Sequence, residues 1–190
     1  VGFSGKLIPR KGVEELIDAV AALQAEGLPV GLLIVGDGPS RSALESRARS
    51  LKWTVFAGFR NQSALAAWSG GMDIFVLPSR FETWGLVLNE AMLFDLPVVA
   101  SSMVGAGEDL IRIGGNGYVF GVGDVAQLTD ALRTLVASSE VRSGFGQRSR
   151  AIVEQYTHQA CVRGILDGLR SVTGRTCADP QALETRGTTP

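Results

Sequence analysis

Short apolar runs alternate with amphipathic stretches along most of the chain. Val1 to Phe3 reads as a strand. Val13, Leu16, Ile17, Val20 and Leu23 then recur at helical spacing until Gly27 and Pro29 end the helix. Val30 to Val35 is a second strand, followed by Gly36-Asp37-Gly38-Pro39 and a helix near Ser42 to Leu51. Trp53 to Phe59 is a third strand, and Asn61 is placed to cap a helix that buries Leu65 and Trp68. Met72 to Leu77, Pro97 to Ala100 and Gly117 to Phe120 supply three more strands, with a helix from about Gly85 to Phe94 between the first two. Asp124 caps a further helix, with Gln127 at the capping-box position. Two helices fill Val141 to Val172, and from Thr173 the sequence turns polar and aperiodic.

Six strands alternating with helices predict an α/β fold, a Rossmann-like doubly wound parallel sheet with right-handed crossovers. The expected division is one domain over residues 1–172 and a flexible tail over 173–190. Ligands of such sheets bind beyond the carboxyl ends of the strands, which directs attention to the loops after strands one, three, four and five.

Composition narrows the partners. The 190 residues suffice for one domain with a substantial core, and 45% hydrophobic with 19% charged residues is ordinary for a globular chain. A formal net charge of −1 leaves no global basic field, which argues against nucleic acid. No apolar run is long enough to span a bilayer. The start Val1-Gly2-Phe3-Ser4-Gly5 lacks a basic n-region and cleavage site, so no signal peptide is expected; going straight into a strand, it implies further sequence upstream. Cys161 and Cys177 are too few for a disulfide framework or zinc site, and a reducing, cytoplasmic setting is the simple expectation.

Two segments carry candidate chemistry. In Gly5-Lys6-Leu7-Ile8-Pro9-Arg10-Lys11-Gly12, three cations gather where a helix begins. The macrodipole disfavours cations there unless an anion satisfies both, so the loop reads either as a phosphate site or as a solvated basic turn. In Pro78 to Met92, Glu82 falls on a loop and Glu90 more than one turn into a helix, with seven residues between them. Two turns of helix cover about seven residues, so both carboxylates can face one cleft from different heights. Gly85 permits close approach of a ligand, and the amides near Gly85, Leu86 and Val87 are free to receive an anion. The plainer alternative is a helix with an acidic start and an exposed glutamate.

These segments resemble the retaining glycosyltransferases of family 4 (glycosyl transferases group 1). Glu82 to Glu90 resembles the Glu-x7-Glu signature, and Gly5-Lys6-Leu7 with Lys11-Gly12 resembles the phosphate loop. Leu33 to Pro39, Phe56-Ala57-Gly58-Phe59-Arg60, Asp73 to Ser79, Leu96 to Ser101, Val104 to Glu108, Asn116-Gly117-Tyr118 and Gly123-Asp124 continue the match in order, over about residues 1 to 155. Thr83-Trp84 departs from the commoner Gly-Phe or Pro-Phe, and Lys6 stands where the family often has Arg, a point charge in place of a bidentate fork.

The resemblance implies the C-terminal, donor-binding half of a GT-B fold, with an absent N-terminal acceptor domain as partner. Lys6 and Lys11 would bind the donor diphosphate, and Glu82 the hydroxyls of the sugar. Glu90 would bind the ribose; Gly85, Leu86 and Val87 would offer amides to the phosphates; Phe59 and Arg60 would flank the base. The reaction implied is transfer of a hexose, with retention, from a UDP- or GDP-linked donor to an acceptor glycan or lipid. No metal or other cofactor is expected, because the cations meet the leaving diphosphate. The full-length protein would be cytoplasmic or membrane-peripheral, and this piece alone inactive.

Other readings share the architecture: a nucleotide-sugar epimerase or sugar phosphorylase, and a nucleotide-binding module without chemistry. A glycosidase would need Glu82 and Glu90 flanking the anomeric carbon and leaves the lysines without a task. Arg41 occupies the third-glycine position of a dinucleotide fingerprint, which argues against NAD. The single histidine, His158, falls on a late helix and is expected at a surface or helix start; Trp53 and Trp68 are expected in the core.

Overall fold

The computed structural model of the chain describes residues 1–61, 68 and 70–173. Six strands form one sheet: β1 (Gly2–Ser4), β2 (Leu32–Val35), β3 (Thr54–Gly58), β4 (Phe75–Leu77), β5 (Val98–Ser101) and β6 (Gly117–Phe120). Every pairing is parallel, in the order β3-β2-β1-β4-β5-β6. Every residue of β4 and β5 is buried. A strand covered on both faces needs no polar alternation, which is why Phe75-Val76-Leu77 and Val98-Val99-Ala100 are uninterrupted apolar runs.

The described helices are α1 (Val13–Ala25), α2 (Arg41–Arg47), α3 (Leu86–Met92), α4 (Ala106–Leu110), α5 (Val125–Ala137), α6 (Ser139–Val153) and α7 (His158–Thr173). In α1 the residues at helical spacing, Val13, Leu16, Ile17, Val20 and Leu23, are all buried, together with Glu15 and Ala19. The Asp124 carboxylate caps α5 by accepting the amide of Gln127 at 2.9 Å. Gln127 reaches back to the amide of Gly121, also at 2.9 Å, so the expected capping box is spread over one extra turn.

The chain divides into two compact units, Val1–Val153 and Glu154–Pro190, and the domain expected over 1–172 spans that division. The first unit holds the sheet and α1 to α6 around a core in which Phe3, Phe75 and Phe120 are almost wholly buried. In the second unit the described residues form α7, started by Thr157, whose hydroxyl accepts the amide of Ala160 at 3.1 Å. His158 opens this helix and is exposed, as is the free thiol of Cys161. Among the described residues no helix is long and apolar enough to cross a membrane.

Three local expectations change. Trp53 is not a core residue: it is 65% exposed at a positive φ of 50°, on the turn that leads into edge strand β3. Trp68 is half-buried against the core. Val104 to Glu108, for which the pattern predicts no helix, runs into one, since Ala106–Leu110 closes into the short α4. Leu65, Cys177 and the tail from residue 174 lie outside the described residues.

Candidate functional site

The strand order reverses at β1. The chain moves outward to β2 and β3, then returns to place β4 on the other side of β1. Loops leaving β1 and β4 therefore diverge around one crevice at the carboxyl edge. After β1, Pro9–Lys11 makes a single 3-10 turn that ends at Gly12, in the left-handed conformation with φ 61°. A Cβ at Gly12 would overlap the carbonyl oxygen of Pro78. The loops after β1 and β4 thus meet backbone to backbone, at a point only glycine can occupy. Two hydrogen bonds extend the seam: the Arg80 amide donates to the Arg10 carbonyl at 2.8 Å, and the Arg10 guanidinium donates to the Phe81 carbonyl at 3.3 Å.

Across this seam the Lys11 ammonium is ion-paired with the Glu82 carboxylate. Their side chains are only 13% and 17% exposed. The backbone of Glu82 is held independently, its amide donating to Met103 at 2.9 Å and its carbonyl accepting from Gly105 at 3.0 Å. The hydroxyl of Ser79, fully buried, donates a long 3.4 Å hydrogen bond to the same Glu82 oxygen. The Ser101 hydroxyl in turn donates to the Ser79 carbonyl. Lys11 is not left waiting for an anion, as its place before α1 would suggest. Glu14 and Glu15 fill the first turn of α1 and satisfy its dipole, and Lys11 already has a counter-charge in Glu82.

A second group forms beside the first. Lys6, Phe59 and Arg60 line a cavity of about 400 Å³ with Gly5, Gly36 and Asp37, beyond the ends of β1, β2 and β3. Phe59 is 75% exposed, and the Arg60 guanidinium lies over the Trp68 ring at 5.1 Å, a cation–π contact that steadies it. Asp37 accepts the Gly38 amide at 2.7 Å and an Arg41 N–H at 3.0 Å. The amide first, and then Arg41, hold its carboxyl below the ordinary range. It is therefore an ionised acceptor on the cavity wall.

The remaining candidates sit on α3. Gly85 is its N-cap, at φ 100° and without a side-chain cap. Leu86 and Val87 open the helix, so their amides precede the first intrahelical acceptor. Leu86 is 70% exposed. Glu90 is half-buried in the following turn. The Trp84 indole donates to the Asn89 side chain at 3.0 Å and ties the Glu82 loop to this helix. The structure thus joins Lys11 with Glu82, and Lys6 with Phe59 and Arg60, and keeps Gly85, Leu86, Val87 and Glu90 on one helix. Glu15 and Arg80 carry no sequence signal for this role, and Ser79 and Ser101, which lack a nearby histidine for a hydrolase triad, serve instead as hydrogen-bond donors behind Glu82. Among the described residues no group of three or more His, Cys, Asp or Glu side chains is arranged to hold a metal.

The sequence model of the family described as glycosyl transferases group 1 matches residues 1–138. The chain belongs to that family. Among its group 1 relatives it is similar to a GDP-mannose-dependent alpha-mannosyltransferase of Mycobacterium tuberculosis, 36% identical over 172 residues, which cover 86% of this chain and 43% of that protein. Among solved structures it is similar to the C-terminal domain of a glycosyl transferase group 1 family protein (LpcC) from Francisella tularensis, with 26% identity and a TM-score of 0.72, covering 83% of this chain and 86% of that one. It is also similar to Alr3699/HepE of Anabaena, solved in complex with UDP, with 27% identity and a TM-score of 0.76, over 90% of this chain and 48% of that one. The α/β architecture with a six-stranded parallel sheet is that of its GT-B neighbours. The chain spans 31% to 48% of the length of the curated relatives it matches.

Proposed function

We propose that this chain is the donor-binding half of a retaining glycosyltransferase, and that the whole protein transfers a hexose from a UDP- or GDP-linked donor to a glycan or lipid acceptor. The observation that carries the reading is the Lys11–Glu82 pair at the crevice between β1 and β4, beside the cavity lined by Lys6, Phe59 and Arg60. Cations suit a diphosphate, carboxylates suit sugar hydroxyls, and an exposed aromatic ring with a guanidinium suits a base. In this reading the base lies against Phe59 and Arg60, the diphosphate is met by Lys6 and Lys11, Glu82 turns to the sugar, and Glu90 takes the ribose.

Negative charge grows on the diphosphate as the glycosidic bond breaks. Lys6, Lys11 and the first amides of α3 meet it in place, with little reorganisation. No metal is required in this scheme, since the cations do that work. Support comes from the mannosyltransferase relative, named for its GDP-mannose dependence, and from the Anabaena neighbour that holds UDP. The test is calorimetric titration of UDP-, GDP- and ADP-sugars with and without EDTA. Binding of a UDP- or GDP-sugar that survives chelation is the expected result. No heat with any of them overturns the site, and loss on chelation overturns its metal independence.

A further inference from the structure

Glu15 is 5% exposed in the first turn of α1, a depth at which a carboxylate is found only when paired. Its two oxygens have different partners. Oε1 faces the Arg80 Nε at 3.3 Å, and Oε2 accepts the amide of Gly123 at 3.2 Å. The carboxyl carbon also lies under the contact between Gly12 and Pro78, 3.7 Å from the place a Cβ on Gly12 would take. Arg80 donates in addition to Glu14 at 2.9 Å. One buried carboxylate therefore ties together α1, the loop that carries Glu82, and the turn that precedes α5.

We infer that Glu15 and Arg80 are positioning residues for the donor site: their pairing holds the Pro78–Gly85 loop against the β1–α1 loop at the height where Glu82 meets Lys11. The inference rests on the donor-site reading above. Arg80 stands two residues before Glu82, so a shift at Arg80 reaches the Glu82 carboxylate through two peptide units. The two glutamates are not equivalent. The Glu14 side chain is 29% exposed, so water can replace Arg80 as its partner, whereas Glu15 at 7% has no such substitute. Neutralising Glu15 removes the buried counter-charge of the Arg80 guanidinium and leaves the Gly123 amide bond intact if the new carboxamide oxygen takes the Oε2 position. The loop then keeps only the water-accessible contact of Arg80 with Glu14 as its side-chain hold on α1, while the fold keeps its core.

The experiment uses the whole 190-residue chain with Glu15→Gln, Glu14→Gln, Arg80→Ala and the double variant Glu15→Gln/Arg80→Ala. Two quantities are read: calorimetric affinity for the UDP- or GDP-sugar that the parent chain binds, and hydrogen exchange at the Arg80 and Glu82 amides with Val99 of β5 as core reference. Glu15→Gln is expected to weaken the donor about tenfold, and to speed exchange at Arg80 and Glu82 by a similar factor with Val99 unchanged. Glu14→Gln is expected to change either by less than about twofold. The double variant should be no worse than Arg80→Ala, since the two residues act as one unit. Unchanged affinity and exchange in Glu15→Gln overturn the inference. So does equal acceleration at Val99, which marks a residue of global stability. A parent chain that binds no nucleotide-sugar overturns the donor reading instead, and the exchange data, which need no ligand, still decide whether Glu15 holds the loop.

Discussion

Lys11 and Glu82, 71 residues apart in sequence, are each other's counter-charge across the seam between the β1 and β4 loops. A diphosphate that reaches Lys11 must compete with Glu82, and a sugar that reaches Glu82 must compete with Lys11. In the proposed donor site, each half of a nucleotide-sugar would thus free the residue that the other half needs. The pair would cost a bare nucleoside diphosphate some affinity and offset it when the sugar is attached.

That competition separates the two glutamates. Glu82→Gln is expected to tighten binding of bare UDP or GDP by about 0.5–1 kcal/mol, the worth of a modestly screened ion pair, and to remove the advantage of the sugar-linked donor. Glu90→Ala is expected to weaken the bare nucleotide by about 1–3 kcal/mol, the range for a hydrogen bond to a charged group. Isothermal titration of both variants with nucleotide and nucleotide-sugar checks the pair; equal losses from both on the bare nucleotide would show the roles to be misassigned.

Gly12→Ala should be among the most damaging single changes near the site. The residue sits at φ 61°, and its new methyl would overlap the Pro78 carbonyl. Left-handed strain alone costs about 1–3 kcal/mol, and the overlap adds to it by forcing the loops apart. Gly27→Ala is the control, with φ 84° and nothing within 4 Å of the added methyl. Urea unfolding should show a clearly larger loss for Gly12→Ala, accompanied by weaker nucleotide binding that Gly27→Ala does not share.

Acid should loosen the cavity wall through Asp37. Its folded pKa is lowered from an ordinary value of 3.8 by the Gly38 amide and then by Arg41. A depressed carboxylate contributes stability that is complete well above the unfolded value and is lost as pH falls below it through the folded value. Asp37→Asn should therefore flatten the decline of stability with acidification below about pH 4, and leave the trend above pH 6 unchanged. Thermal melts from pH 2.5 to pH 7 measure both slopes.

The chain alone is expected to bind donor and to transfer no sugar. Near-attack geometry requires the acceptor about 3–3.5 Å from the anomeric carbon, and the residues assigned here all address the donor. A donor open to water on one face also loses part of each electrostatic contribution. A radiolabelled-donor assay with sugar and lipid acceptors should give no more product than buffer. Turnover abolished by Glu82→Ala would show the chain to be a complete enzyme.

Much of the architecture was written in local pattern. Short apolar runs mark all six strands and the 3.6-residue period marks most described helices, and Asp124 with Gln127 marks a real cap. The failures were local too. Five residues are too few for helical periodicity to register in Ala106–Leu110. Hydrophobicity alone places Trp53 inward and says nothing of a turn at a sheet edge. The charges in Gly5 to Gly12 are visible in sequence, but the partners of Lys11 and Arg10 are not, because Glu82 and the Phe81 carbonyl arrive from 71 residues away.

By itself the sequence determined the element types, the class of sheet, and the loops that carry charge and glycine, because those depend on neighbours a few residues apart. Only the tertiary structure decided that β4 returns to lie beside β1. That single placement sets Lys11 against Glu82, presses Gly12 onto Pro78, and buries Glu15 under Arg80. Hydrophobic periodicity records which face of a strand is buried and carries no information about which strand lies next to it. Non-local pairs therefore become legible only when the order of the sheet is known.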